Sequence, residues 1–186
     1  MAQAIIAGEF AVALAGGNIV FANLAGGDIV TYGGVVNVPS FYLYVQPVIK
    51  TQEELRGKTL GITRYGASTD FTLRFLLKKW GLEPDREVKV IQMGGQPEIL
   101  AGMQAGVIHG GVLSSPGDFK AKRTGFSMLA NFAKVGLDYP TTSLVSTRST
   151  IKNDRETVKR FLMAYSEAVD RLFRDKELAI KVIGKW

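Results

Sequence analysis

Cysteine is absent from the 186-residue chain, and histidine occurs once, as His109. The lack of cysteine excludes disulfide bonds, thiol catalysis and cysteine-ligated zinc. A single histidine leaves almost no room for a histidine-rich metal site, and a lone histidine is most often structural or exposed. We therefore expect neither a metal nor a cofactor. The absence of cysteine also fits an oxidising compartment, although many cytosolic proteins share it.

Motifs of common catalytic and nucleotide-binding sites are missing as well. The chain contains no G-x-S-x-G, P-loop, G-x-G-x-x-G or H-E-x-x-H pattern. Its adjacent acidic pair, Glu53 and Glu54, does not indicate a paired-carboxylate site, because neighbouring residues on a helix do not face each other. The sequence therefore favours a binding protein over an enzyme.

Long runs of one charge are also absent, although the net charge is +6. Short basic clusters such as Lys78 and Lys79 fall at helical positions, where solvated side chains are the ordinary explanation. No stretch interleaves basic with aromatic residues as single-strand binding does. We expect no nucleic-acid partner.

No segment has the pattern of a signal peptide or of a spanning helix. The N-terminus carries no basic region followed by a long apolar one. Two uncharged stretches, 10–27 and 29–49, are interrupted by glycine, asparagine or proline. Buried strands with turns explain both stretches better than a membrane helix.

What the chain does contain is a repeated order of β-prone run, small-residue loop and helix. The runs are 10–14, 59–62, 88–91 and 111–113, and the helices that follow them are 19–24, 69–80, 97–105 and 118–123. Strands alternating with helices of this length are typical of α/β proteins with a largely parallel sheet. Gly81 stands where a helix end favours a left-handed residue.

A long amphipathic helix is predicted near the C-terminus. Asn153 and Glu156 have the spacing of a capping box that would open it. Apolar residues then recur on one stripe with helical periodicity: Val158, Phe161, Leu162, Tyr165, Val169, Leu172 and Phe173. We expect this stripe to pack on the first 45 residues.

Two β-prone segments, near 42–46 and 141–147, flank the middle of the chain. We interpret them as connections between two lobes. One lobe comprises residues 1–45 with 148–186, and the other comprises residues 46–147, including the connecting strands. Two lobes joined in this way leave a cleft between them.

The loops after the predicted strands are rich in glycine and neutral hydrogen-bonding residues. Ligands of open α/β sheets bind outside the carboxyl ends of the strands, where helix N-termini also face. The candidate ligand-binding residues in these loops are Gly17, Asn18, Ser68, Thr69, Gln96 and Ser114. Each loop alone is better explained as a cap and tight turn, but four together favour a site for a small anionic or polar solute.

Other candidates carry two interpretations each. Arg64 is either an anchor that grips a carboxylate or sulfonate at two points, or a member of a surface ion pair. Asn37 either lines the cleft or starts the next turn. Tyr32, Phe41 and Tyr42 are candidates for an aromatic wall, although core packing is their more usual role.

Several segments, in order, resemble the nitrate/sulfonate/taurine-type substrate-binding proteins of ABC transporters, a family also described as NMT1/THI5-like. The segment 14–18 (LAGGN) is similar to a ligand loop of the family, and 51–61 (TQEELRGKTLG) to its lobe-crossing segment. Residues 65–73, 94–100 (GGQPEIL) and 105–116 (AGVIHGGVLSSP) are similar to later landmarks. The resemblance implies an α/β, type II periplasmic-binding-protein-like fold with a cleft between two lobes.

The resemblance also implies a function. Such a protein captures a small anionic or polar organic solute, such as a sulfonate, nitrate or a pyrimidine precursor. It delivers the solute to the permease subunits of an ABC importer, in the periplasm or otherwise outside the cytoplasm.

This chain departs from the family pattern in two ways. Family members open with a strand and helix upstream of Ala2 and continue past Trp186, so we expect one lobe to be incomplete. Ala11 and His109 stand where an aspartate is common. A ligand-sensing module without transport is an open alternative. A pyrimidine-synthesising enzyme of the THI5 type, which needs pyridoxal phosphate, is disfavoured because its cysteine-rich motif is missing.

Overall fold

Two separate β-sheets organise the chain in the computed structural model, which describes residues 2–185 and, at Asn18, the backbone alone. The strands of this part are β1 (Ala13–Ala15), β2 (Ile29–Val36), β3 (Tyr42–Val45), β4 (Thr59–Ile62), β5 (Lys89–Gln92), β6 (Gly110–Leu113), β7 (Ser127–Asn131) and β8 (Thr142–Thr147). Its α-helices are α1 (Ala2–Ile6), α2 (Asn18–Leu24), α3 (Ser68–Lys79), α4 (Gln96–Gln104), α5 (Gly117–Arg123), α6 (Arg148–Asn153), α7 (Arg155–Arg174) and α8 (Lys176–Ile183).

The larger sheet has five strands in the order β5-β4-β6-β3-β7. Strand β4 runs parallel to β5 and β6, and β3 runs antiparallel to β6 and β7. The parallel part agrees with the predicted strand–loop–helix order, because a helix that returns along the sheet lets the next strand run the same way. We call this sheet with α3, α4 and α5 the second lobe.

The core of the second lobe lies on both faces of its sheet, because side chains alternate along each strand. On one face, Leu60 and Ile62 of β4 belong to the same buried cluster as Leu73 of α3. On the other face, Ile99 of α4 packs in a cluster with Leu113 of β6. Helices therefore cover both sides of the sheet.

The smaller sheet has three strands in the order β1-β8-β2 and is antiparallel throughout. The prediction of a largely parallel sheet is wrong for this part. Strands β1 and β2 do run the same way, as a strand–helix–strand unit requires, but β8 lies between them and runs opposite to both. Strand β1 is also shorter than predicted and begins at Ala13. We call this sheet with α1, α2, α6, α7 and α8 the first lobe.

The predicted long helix is present as α7, but its start differs from the prediction. The carboxylate of Asp154 accepts a hydrogen bond from the backbone N–H of Thr157 at 3.2 Å and caps the helix. Asn153 ends α6 instead, so the capping box predicted with Asn153 is wrong. Part of the α7 stripe faces the three-stranded sheet across a groove of about 460 Å³, lined by Gly33, Gly34, Val35, Leu144, Leu162, Tyr165, Ser166, Val169, Asp170 and Phe173.

Hydrophobic packing separates along the same division as the sheets. The clusters of the second lobe draw on residues between Phe41 and Val135. A distinct small cluster in the first lobe contains Ile5, Ala15, Ile19, Ile29 and Val145. Strand β3 pairs in the second lobe and β8 in the first. The proposed boundaries at 45/46 and 147/148 stay a prediction, as does the hinge role of these two strands.

The helices of the structure agree with the interpretation of the uncharged stretches as strands and turns. Within residues 2–185, none of the helices has the length and apolar character that crossing a bilayer requires. The stretch 29–49 contains β2 and β3.

Candidate functional site

The carboxyl ends of three parallel strands place several candidates at one edge of the second lobe. Strand β4 lies between β5 and β6 and pairs in parallel with both. The loops and helix starts that follow them carry Arg64, Ser68, Thr69, Gln96 and Ser114. Such an edge is where ligands of open α/β sheets bind.

Tyr139 contacts both lobes at this edge. It lies on the segment that returns from the second lobe to β8, and its hydroxyl donates a hydrogen bond to Oγ of Ser68 at 3.1 Å. Its ring stacks on Phe71 of α3, with ring centroids 5.1 Å apart. The same hydroxyl also lies against Gly17, where an added Cβ would overlap it. Gly17 and Ser68, both predicted from the sequence, therefore meet at Tyr139.

The two segments that cross between the lobes are tied together beside this contact. The backbone N–H of Tyr139 donates to the carbonyl of Asn37 at 3.0 Å. The hydroxyl of Thr141 donates to the carbonyl of Val38 at 2.7 Å. Asn37 thus contributes its carbonyl here, while its side chain lies against Gly34, where an added Cβ would be 2.6 Å from Asn37 Oδ1.

The start of α3 presents free donors to the same place. Ala67 precedes the helix and provides no side-chain cap, and Ser68 is the first helical residue and does not cap either. Within residues 2–185, no acceptor is found for the backbone N–H of Ser68 or Thr69. The first N–H groups of a helix have no partner inside the helix, and they carry its positive dipole end. They suit an anion or another acceptor.

Thr69 has a different role from the one predicted for its hydroxyl. It is buried, and its Oγ1 accepts from the backbone N–H of Thr63 at 3.2 Å and bonds to Oγ1 of Thr63 at 2.7 Å. The side chain of Thr69 therefore holds the loop after β4 against the start of α3.

A carboxylate in the first turn of α3 is ion-paired within the second lobe. Asp70 pairs with Arg74 at 2.6 Å, and Arg74 also pairs with Asp85 at 2.6 Å. Burial lowers the pKa of Arg74, but its hydrogen bonds to Asp85 and Asp70 outweigh burial and leave the pKa above its ordinary value. Asp70 is therefore held by Arg74, which it shares with Asp85, and by the backbone N–H of Gly66, which donates to its Oδ2 at 2.8 Å.

Arg64 lies in the exposed turn between β4 and α3. Its carbonyl accepts a hydrogen bond from the N–H of Ala67 at 3.2 Å. No ion pair joins its guanidinium to a carboxylate in the described part of the chain. The guanidinium is therefore available to an anion from solvent.

Gln96 and Ser114 form a second group. Oε1 of Gln96 accepts a hydrogen bond from the backbone N–H of Ser114 at 2.9 Å, which joins the loops after β5 and β6. The pair lies at a cavity of about 280 Å³ between α4 and α5, whose lining also includes Leu100, Gln104 and Lys120. The contacts of Tyr139 and this cavity share no residue, so the candidates meet as two groups. The side chain of Asn18 lies outside the described part.

The other sequence candidates have structural roles. Phe41 and Tyr42 pack against the two cores of the second lobe, so the core interpretation is confirmed for them. The hydroxyl of Tyr32 is buried without a hydrogen-bond partner within residues 2–185, and burial raises its pKa. Nδ1 of His109 accepts a hydrogen bond from the N–H of Thr59 at 3.1 Å, which confirms the structural interpretation of this histidine.

Sequence reasoning missed Tyr139 and Phe71. The available signal was the position of Tyr139, an aromatic residue directly before Pro140 and the β-prone segment interpreted as a lobe connection. Phe71 shares the helical pattern of α3 with core residues, but it is 48% exposed. Periodicity does not identify its partner.

Three findings relate the chain to known proteins. The model of the NMT1-like family matches residues 3–184. The nitrate/nitrite binding protein NrtA of Nostoc sp. is 25% identical over 122 residues, which cover 64% of this chain and 27% of that protein. The structure of the alkanesulfonate-binding protein SsuA of Xanthomonas axonopodis pv. citri, bound to MOPS, matches with a TM-score of 0.82 and 23% identity over 98% of this chain and 63% of that one.

A further solved structure, the periplasmic aliphatic sulphonate binding protein SsuA of Escherichia coli, matches with a TM-score of 0.85 and 20% identity. It too is covered to 63%, and this chain to 98%. The chain therefore spans less than two thirds of the length of these relatives. The chain belongs to the NMT1-like family and has the two-lobe α/β fold of periplasmic binding proteins.

Proposed function

We propose that the chain is the solute-capturing part of an ABC import system and binds a small anionic or polar organic solute between its lobes. The observation that carries the proposal is the meeting of Gly17 and Ser68 at Tyr139, because it brings strand-end loops of both lobes together. A binding protein of this kind needs polar groups from both lobes, since the solute then stabilises the closed arrangement.

The chemistry of this place favours an anion with several oxygen atoms. The N–H groups of Ser68 and Thr69 and the exposed guanidinium of Arg64 are donors, and the carboxylate of Asp70 is paired with Arg74. Sulfonates and nitrate have this form, and relatives of this chain are named for binding them. We place these two classes before pyrimidine precursors.

The full proposal includes all eight sequence candidates as the border of one cleft. Gly17, Asn18, Asn37, Arg64, Ser68 and Thr69 belong to the side of Tyr139, and Gln96 and Ser114 to the side of α4. The partners are permease subunits of the importer, and the place of action is outside the cytoplasm. Both follow from membership of such a system.

The test is calorimetric titration of the purified chain and its variants with MOPS, methanesulfonate and nitrate. Replacing Arg64 by alanine is expected to weaken the binding of an anion about ten- to a hundredfold, or about 1.5–3 kcal/mol, because a charge-assisted hydrogen bond is lost. Glu53→Ala is the control, since Glu53 is an exposed residue with a charge of the opposite sign. It is expected to leave the affinity unchanged.

The results of these measurements test the role of Arg64 separately from the proposed function. Equal affinities of wild type and Arg64→Ala would remove Arg64 from the site and leave the backbone donors of α3. A thermal-shift screen of small anions and heterocycles complements the titration, because a ligand that binds only the native state raises its melting temperature. No shift with any of these compounds would contradict the proposed function.

A further inference from the structure

The phenol of Tyr139 fills the space between the loop after β1 and the start of α3. Its hydroxyl bonds to Ser68 at 3.1 Å and lies directly against the buried Gly17. The ring also stacks on Phe71 of α3. There is no room for even a methyl group beside Gly17 while the phenol is in place.

This packing has a consequence for any solute in the proposed site. A sulfonate or nitrate is larger than a methyl group, so it does not fit between Gly17 and Ser68 together with the phenol. The anion and the phenol therefore compete for the same small volume beside Gly17. One of the two has to leave.

The surroundings of Tyr139 allow its side chain to move out of the site. It lies between the short 3₁₀ turn Phe132–Lys134 and β8, in a segment without regular secondary structure. Gly136 in this segment has a φ of 71°, a backbone conformation that glycine adopts without strain. The ring of Tyr139 is half-buried and its stacking partner Phe71 is 48% exposed, so the ring can turn towards solvent without crossing a packed core.

We infer that Tyr139 is an internal occupant of the solute site: its phenol holds the place between Gly17 and Ser68 in the empty protein, and the bound solute displaces it. The inference rests on the proposed function and adds a determinant of affinity to it. A hydroxyl that bonds to Ser68 in the empty state lowers the apparent affinity for a solute, because that contact has to be broken first.

Two substitutions distinguish the effect of the Tyr139 hydroxyl on solute binding from the effect of its ring. Tyr139→Phe keeps the stacking on Phe71 and removes the bond to Ser68, and it is expected to tighten the binding of MOPS about two- to tenfold, the size of one neutral hydrogen bond. Tyr139→Ala also empties the volume and is expected to tighten binding further. Tyr165→Phe is the matched control, because Tyr165 likewise stacks on a phenylalanine, Phe161, but lies on α7. It is expected to change nothing.

A second measurement tests the contact without any solute. Amide hydrogen exchange of the empty protein is expected to accelerate at residues 67–71 and 137–141 in both Tyr139 variants and to stay unchanged in Tyr165→Phe. Unchanged exchange in the Tyr139 variants would overturn the inference, because the phenol would then hold nothing in place.

The binding data distinguish this inference from the proposed function. Weaker binding of MOPS by Tyr139→Phe would overturn the inference, because the hydroxyl would then be a direct contact of the solute. Equal binding by wild type and both variants would also overturn it while leaving the proposed function intact. If MOPS, methanesulfonate and nitrate bind neither wild type nor Tyr139→Ala, the proposed function fails and the displacement fails with it.

Discussion

The second lobe covers both faces of its five-stranded sheet with helices, whereas the first lobe leaves many apolar side chains of its helices in solvent. Leu60 and Leu77 in the second lobe are completely buried. In the first lobe, Leu24 is 80% exposed, Phe173 87% and Ile183 72%. The two parts of one chain therefore differ sharply in how much of their hydrophobic surface contributes to folding.

Helices α3 and α7 illustrate this difference in burial. Helix α3 has 12 residues and buries six of them, while α7 has 20 residues and buries Val158 alone. Both helices have an apolar stripe, so their sequences do not explain the contrast. The sheet that faces each helix explains the contrast, because α3 lies on a five-stranded sheet and α7 faces a three-stranded one across an open groove. An amphipathic pattern specifies which face of a helix is apolar, but not how completely it is covered.

The largest expected effect compares one phenylalanine in each lobe. Phe132→Ala removes a completely buried ring from the second lobe and is expected to cost about 3–5 kcal/mol of unfolding free energy, because it leaves a cavity. Phe173→Ala removes a ring that is 87% exposed and is expected to cost less than about 0.5 kcal/mol. Urea unfolding followed by circular dichroism measures both.

Similar losses of unfolding free energy in Phe132→Ala and Phe173→Ala would contradict the difference between the lobes, because Phe173 would then contribute to a packed core. Phe132→Leu is a milder variant at the same position. It keeps the measurement possible if Phe132→Ala does not fold.

A smaller effect is expected from adding one methyl group to the sheet of each lobe. In the second lobe, the Cβ of Gly61→Ala would lie 2.6 Å from Cδ1 of Ile108, inside a packed core, and is expected to cost about 1–3 kcal/mol. In the first lobe, the Cβ of Gly33→Ala would lie 3.0 Å from Cδ1 of Leu144, which can turn into the open groove. Its cost is expected to be below about 1 kcal/mol. An equal or larger loss for Gly33→Ala would show that the first-lobe sheet is as tightly packed.

A local effect is expected at the start of α7. Asp154→Ala removes the cap from the N–H of Thr157 and is expected to destabilise this helix by about 1 kcal/mol. Because α7 buries so little, the loss should remain local and leave the unfolding of the second lobe unchanged. Hydrogen exchange resolves this: faster exchange in the first turn of α7 is expected, and equal acceleration in β4 and β6 would contradict the separation of the lobes.

The smallest effect is a dependence on pH in the second lobe. The carboxylate of Glu54 accepts hydrogen bonds from the backbone N–H groups of Lys50 at 2.6 Å and Thr51 at 3.2 Å, and these bonds lower its pKa. A lowered pKa in the folded state means stability that is present above the ordinary glutamate pKa and is lost as pH falls through the lowered value. The loss therefore sets in as the pH falls below the ordinary glutamate pKa of about 4.3.

Glu54→Ala should therefore lower the melting temperature slightly at pH 6, and the difference from wild type should shrink towards pH 3. Glu167→Ala on α7 serves as the first-lobe control. A difference between wild type and Glu54→Ala that grows as the pH falls would contradict this role of the carboxylate.

Much of the second lobe was predictable because its order follows the chain. Helix α3 was predicted at 69–80 and spans Ser68–Lys79, and Gly81 has the expected left-handed conformation, with a φ of 70°. The parallel strands β4, β5 and β6 follow one another with a helix after each. These features depend on residues a few positions apart, so periodicity and turn chemistry reveal them.

The candidate site was predictable in its loops but not in its contacts. Glycine and small polar residues before helices identified Gly17 and Ser68 by local chemistry alone. What joins them is Tyr139, which lies 71 residues beyond Ser68 in the chain. No local pattern states that an aromatic ring from one crossing segment will occupy the gap between two loops.

By itself, the sequence determined where the strand–loop–helix units of the second lobe form, which face of the long C-terminal helix is apolar, and which loops carry hydrogen-bonding groups, because each depends on neighbouring residues. Tertiary structure alone decided that β8 separates β1 from β2, that the α7 stripe is left partly open, and that Tyr139 stands between Gly17 and Ser68. These outcomes depend on which surfaces remain free for pairing once distant segments meet, and that is a property of the whole fold.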